Sequence, residues 1–263
     1  MSELTIGVTI DGETYTQAQL AQFQYQRALH VLHELKRLGA TLYDGDHELS
    51  DIDINWLEPA RAEQISLDYR IGLGEQSTLD LFKDVLADTD QRWKEFNADY
   101  VDGDLRTGQV DLEVTGITVQ EALGAIGGGT SESQLAIMPE HYIVAGDVHT
   151  GQRGMETFGM FGEPTAIHGT AAKEIPASFP FTRDPDYPIL IFGETLLRSD
   201  DTPTHLGACH QAKPGPDGFA MKSIFFCPKT VPQAMADGHK IHFAIELSNA
   251  FKAARAKRDT VDN

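Results

Sequence analysis

The stretch "GHKIHFAIELSNAFK", Gly238 to Lys252, decides how the chain is read. Its texture is helical, and it carries His239, His242 and Glu246 within two turns. With His239 at zero and about 100° per residue, His242 falls at about 300°, Glu246 at about 340° and Asn249 at about 280°. Lys240, Arg255 and Lys252 fall at about 100°, 160° and 220°. Long basic side chains favour the solvated face, so His242 and Glu246 are expected to turn inward, with His239 peripheral. Ile241 and Phe251 lie on the proposed solvent side, which leaves open a helix buried nearly all round. An inward carboxylate is costly unless it is paired or bound to a metal, and side chains at i and i+4 meet on one face. The pair is therefore expected either to ligate an ion or to form a hydrogen-bonded polar stripe.

The preceding hundred residues alternate strand-like runs with Gly and Pro turns: "LAIMPEHYIVAGDV", "GMETFGMFG", "TAIHGTAA", "YPILIFGETLLR", "HLGACHQAK" and "GFAMKSIFFCP". "KPGPDGF" between the last two is a hairpin signal. Consecutive strands followed by one long helix predict an α+β fold, not alternating βαβ units. The simplest architecture is a curved antiparallel sheet gripping a long C-terminal helix (helix-grip, START-like), with a cavity between them.

Nearer the start, a helix is expected over residues 16–38, opened by a Thr16/Gln19 capping box and stopped by Gly39. The Asp-rich "YDGDHELSDIDIN" does not follow the calcium-loop spacing and reads as a connector. "QISLDYRIGL" alternates Ile65, Leu67, Tyr69, Ile71 and Leu73, which predicts a half-buried strand. "STLDLFKDVLADTDQRWKEF" predicts an amphipathic helix capped by Ser77, "QVDLEV" a strand, and "TVQEALGAI" a short helix. The glycine triplet 127–129 lacks the Gly-Lys-Ser/Thr ending of a phosphate loop and follows a helix, so it reads as a link. The organisation expected is an N-terminal helical extension, 1–60, and a helix-grip domain with the active-site cavity, 61–263.

A formal net charge of −19 argues against nucleic acid and anionic membrane surfaces as partners. No apolar run reaches the roughly eighteen residues of a membrane span, and the acidic start does not resemble a signal peptide, so a cytoplasmic location is expected. Cys209 and Cys227 are expected to be buried thiols.

A catalytic metal takes three or four His, Asp or Glu ligands, so partners for the helix must come from the strands. His141 lies in "MPEHYIVAG", and Glu156 interrupts the apolar run of Met155, Phe158 and Met160, a local inconsistency that marks functional or strained places. Glu163 is a weaker candidate in a turn, and His149 is expected exposed in a hairpin. His205 and His210 differ in parity, so only one can line the cavity; His210 is favoured, as a substrate contact. His30 and His33 receive no role.

At "ACHQAKPGPDGFAMKSIFF" and "HKIHFAIELSNAF" the chain resembles the 2,4-diacetylphloroglucinol hydrolase and phloretin hydrolase family. The likeness covers mainly residues 135–251. It implies a helix-grip fold and a zinc ion, or another divalent metal, held by two His and two Glu. It implies hydrolysis of the carbon–carbon bond between an acyl group and a polyhydroxylated aromatic ring. Position by position, His242 and Glu246 match the helical ligands, with His141 and Glu156 as counterparts of the strand ligands. His210 matches a substrate-binding histidine, and Tyr142 is the implied phenol contact. The expected activity is thus a metal-dependent hydrolase acting on a small aromatic or ketone substrate, in a chain compatible with a homodimer. The alternatives are a metal-dependent decarboxylase, lyase or isomerase, or a non-enzymatic helix-grip protein binding a hydrophobic small molecule.

Overall fold

The structure, a computed structural model, describes residues 2–127, 129–148, 150–169 and 171–261. The chain opens with β1 (Thr5–Ile10), β2 (Glu13–Tyr15) and α1 (Gln17–Arg37), then a small hairpin, β3 (Tyr43–Asp44) and β4 (His47–Glu48). Next come α2 (Asp51–Asn55), α3 (Pro59–Leu81), α4 (Lys83–Ala98), β5 (Leu105–Thr115), α5 (Val119–Gly127) and α6 (Ser131–Ile137). The second half holds β6 (His141–Asp147), β7 (Gly151–Thr157), β8 (Pro164–Gly169), β9 (Ile189–Leu197), β10 (Pro203–Pro214), β11 (Gly218–Pro228) and α7 (Gln233–Val261).

One antiparallel sheet dominates, in the order β2-β1-β5-β11-β10-β9-β8-β7-β6. On β5, Val110, Leu112 and Val114 alternate inward at the two-residue period of a strand and meet α7. At the other end of the same sheet, His141 on β6 comes into contact with His242 on α7. A helix that touches both the third and the ninth strand requires the sheet to curl around it. This is the helix-grip architecture read from the sequence.

A layer formed by α1–α4 covers the β6–β8 end. Its core joins Val31, Leu32, Leu35, Ile54 and Phe82 to Tyr142, Ile143 and Met155 of the sheet. Thr16 and Gln19 form the expected capping box, and Gly39 takes the left-handed conformation (φ 96°) that ends α1.

Three expectations are corrected here. Residues 65–73 are helix, within α3, not strand. Ile65, Tyr69 and Leu73 satisfy a four-residue period as well as a two-residue one, and Pro59 opens the helix at a position proline favours. Ser77 is not a cap: it lies inside α3, three residues after a kink at Gly74 (φ 67°). The division at residue 60 also fails to follow the structure, because β1 pairs along β5 as part of the main sheet. The helical layer runs on to Ala98.

Candidate metal centre

In the β6–β7 ladder His141 stands opposite Glu156, so the two side chains leave the sheet together. One helical turn of α7 brings His242 and Glu246 to meet them. His141 Nε2 and His242 Nε2 are 3.2 Å apart, and Glu156 Oε2 is 3.3 Å from each. Ligand atoms held about 2.0–2.1 Å from one tetrahedral zinc ion stand about 3.3 Å from one another. The three atoms thus form one face of such a tetrahedron. Glu246 reaches 3.8 Å from His242 Nε2 with one oxygen and 4.0 Å from His141 Nε2 with the other.

Each imidazole has an oxygen acceptor behind it. His141 Nδ1 faces the carbonyl oxygen of Gln134 at 3.0 Å, which calls for an N–H there. His242 Nδ1 faces Glu140 Oε2 at 3.6 Å. With both rings neutral and their protons on Nδ1, two Nε2 lone pairs and a carboxylate oxygen would converge on one point, with a second carboxylate beside them. A divalent cation relieves that repulsion, and two imidazoles with two carboxylates are an ordinary donor set for zinc. The residues fit the ion.

Burial opposes charge on Glu156, yet its bonds to His141 and His242 hold its carboxyl well below the usual range. Burial likewise opposes charge on His242, but Glu140, Glu156 and Glu246 push its imidazole up to about 9. The two directions describe one coupled pair, an ionised Glu156 carboxylate beside a His242 imidazole that holds its proton among three carboxylates.

The cluster opens onto a cavity of about 200 Å3 lined by His141, Glu156, His210, Phe225, His239 and Phe243 among others. His210, as expected, lines it. Its Nδ1 lies 3.0 Å from Ser223 Oγ, its ring packs on Phe243, and burial lowers its pKa to about 4. His205 points elsewhere and stacks on Tyr100 beside an irregularity in the β9–β10 pairing. His149 lies outside the described residues.

Three placements differ from expectation. Tyr142 does not reach the cavity. A register shift in the β6–β7 pairing follows His141, and the Tyr142 ring packs on Phe82 while its hydroxyl donates to Glu34 within the helical layer. His239 is not peripheral. It is 2% exposed, stacks on His242 with ring centres 4.4 Å apart, and borders the cavity. Lys240 is not solvated: it is buried, ion-paired with Asp11 and Asp237. Between Gly238 and Phe251 no residue of the helix is exposed, so His242 and Glu246 face inward for a broader reason than a basic outer stripe. Glu163 stays with Arg37 and Arg92, away from the site.

Sequence reasoning missed Glu140 and Arg27, both fully buried behind His242. A signal existed: Arg27 lies on the same face of α1 as Leu20 and Val31, where the pattern calls for an apolar residue.

No protein-family model and no curated protein matches the chain. Among solved structures, the crystal structure of Ara h 8.0201 aligns with 58% of this chain and 99% of its own, at 8% identity and a TM-score of 0.39. That likeness carries no argument here, and the fold rests on strand order and the placement of α7. No helix among the described residues is long and apolar enough to cross a membrane, and both cysteines are free and buried.

Proposed function

We propose that the protein is a metal-dependent hydrolase cleaving the carbon–carbon bond between an acyl group and a phenolic or related aromatic ring. Zinc or another divalent ion would be held by His141, Glu156, His242 and Glu246. The observation that carries this reading is the triangle of donor atoms at 3.2, 3.3 and 3.3 Å, with the Gln134 carbonyl oxygen 3.0 Å behind His141 and the Glu140 carboxylate 3.6 Å behind His242. The resemblance at the two C-terminal motifs narrows the reaction to an acyl-aromatic ketone.

When bound, the ion supplies a Lewis acid that polarises a carbonyl or activates water. Hydrolysis puts the hydroxyl of water on the acyl carbon, releasing a carboxylic acid, while the ring carbon takes a proton. Phe225 and Phe243 offer aromatic walls to the ring. His210, neutral at physiological pH and tied to Ser223, is placed to hydrogen-bond a phenolic oxygen and orient that ring. Tyr142, locked onto Glu34, takes no part.

Elemental analysis of the purified protein tests the reading, with about one zinc per chain expected and none in His242→Ala. Release of a carboxylic acid from a neutral aryl ketone separates hydrolysis from decarboxylation, lyase or isomerase chemistry. A second reading is favoured by the upward push on His242, whose imidazolium could replace the ion in a binding protein without catalysis. It expects no zinc, and ligand affinity unchanged in Glu246→Gln.

A further inference from the structure

Behind His242, away from the cavity, sits a fully buried ion pair between Arg27 of α1 and Glu140, the residue preceding β6. Arg27 also donates to the carbonyl oxygens of Gly159 (3.1 Å) and Gly238 (2.9 Å). One guanidinium therefore joins α1, the turn after β7, α7 and the chain entering β6. Three buried polar atoms here have no hydrogen-bond partner among the described residues: Glu140 Oε1, Arg27 Nε and His242 Nδ1. The distance of 3.6 Å from His242 Nδ1 to Glu140 Oε2 is one short adjustment from a hydrogen bond. A buried ion pair is a poor way to gain stability, since apolar residues of similar volume often do as well or better. A pair aimed at the back of a ligand imidazole has a different use, because partners at the far ring nitrogen set tautomer and orientation.

We propose that Arg27 and Glu140 are positioning residues of the metal centre: Glu140 accepts the Nδ1 proton of His242, leaving Nε2 free for the ion, and Arg27 aims the Glu140 carboxylate. The inference rests on the metal-centre reading above and makes the N-terminal helix part of the centre. Arg27 cannot act on substrate, since it lies behind the ligands and lines no part of the cavity.

The test compares wild type, Glu140→Gln and the double variant Arg27→Met with Glu140→Met. Zinc affinity is read by competition with a chromophoric chelator, the visible absorption of the Co2+ form reports ligand geometry, and the apo thermal midpoint reports folding. The expected result is zinc affinity about 10-fold to 100-fold weaker in the double variant, and about 10-fold weaker in Glu140→Gln. Altered cobalt bands accompany this, with an apo midpoint in the double variant no lower than wild type. Unchanged affinity and cobalt spectrum in the variants overturn the proposal while leaving the metal centre standing. A wild-type protein that takes up neither ion removes the metal reading itself, and the proposal with it. Should the double variant fail to fold, Glu140→Gln alone decides.

Discussion

Zinc should raise the thermal stability of the apo protein by an amount that the structure lets one work out. The four donors converge in the folded chain and are dispersed in the unfolded one, so the ion binds the native form preferentially. At a free concentration about 100 times its dissociation constant it adds about 2.7 kcal/mol. An unfolding entropy of about 2.1 cal/mol/K per residue, over 263 residues, gives about 0.55 kcal/mol/K. The midpoint should therefore rise by about 5 °C. The effect should grow with pH. His242 has a folded apo pKa of about 9, above its ordinary 6.5, so its proton stabilises the apo fold fully below pH 6.5. That contribution is lost as pH rises towards 9. Zinc has to displace that proton, and the shift should be larger at pH 8.5 than at pH 6.5. Scanning calorimetry with and without zinc measures it, and Glu156→Gln should lose most of it. No shift in wild type, or an equal shift in Glu156→Gln, refutes the reasoning.

Tyr142→Phe should keep turnover of an aryl ketone within a few-fold of wild type, whereas His210→Ala should lower kcat/KM by about 100-fold or more; steady-state kinetics on both variants checks the contrast. Glu34 is pushed up to about 7, mainly by burial. The folded state therefore binds the extra proton between pH 4.5 and 7, and stability falls across that window by up to about 3 kcal/mol. Urea unfolding should show that fall in wild type and much less of it in Glu34→Gln. Gly238→Ala would place a Cβ 2.5 Å from the Gly159 backbone carbon and 2.6 Å from the Met160 nitrogen. It should cost about 1–3 kcal/mol in urea unfolding and weaken zinc binding by shifting α7.

The strands of the second half were legible because each is bounded by glycine or proline and alternates or runs apolar. The helical pair His242 and Glu246 was legible because two polar groups four residues apart sat among packing residues. Glu156 stood out as a charge in an apolar strand. Residues 65–73 misled because a four-residue spacing hides inside a two-residue one, and only the neighbouring α1 decides between them. Tyr142 was named only through the resemblance; as the strand neighbour of inward-facing His141 it leaves the opposite face and enters the helical layer. Lys240 was placed in water because nothing local shows that Asp11, 229 residues away, folds over it. Glu140 shares that difficulty, since its partner Arg27 lies 113 residues away, and Arg27 left only the trace of a charge on the apolar face of α1.

The distribution of donors along the chain has a consequence for biosynthesis. His141 and His242 are 101 residues apart, and Arg27 anchors to Gly238 across 211. A ribosome that has made both site strands has still supplied only two of the four donors. Those strands offer a weak, half-open grip until α7 emerges and docks beside α1. Contacts this distant carry a large loop-closure cost, so on the metal-centre proposal tight uptake of an ion would need α7 docked. On the metal-centre proposal, a nascent chain halted before residue 242 would lack two of the four donors.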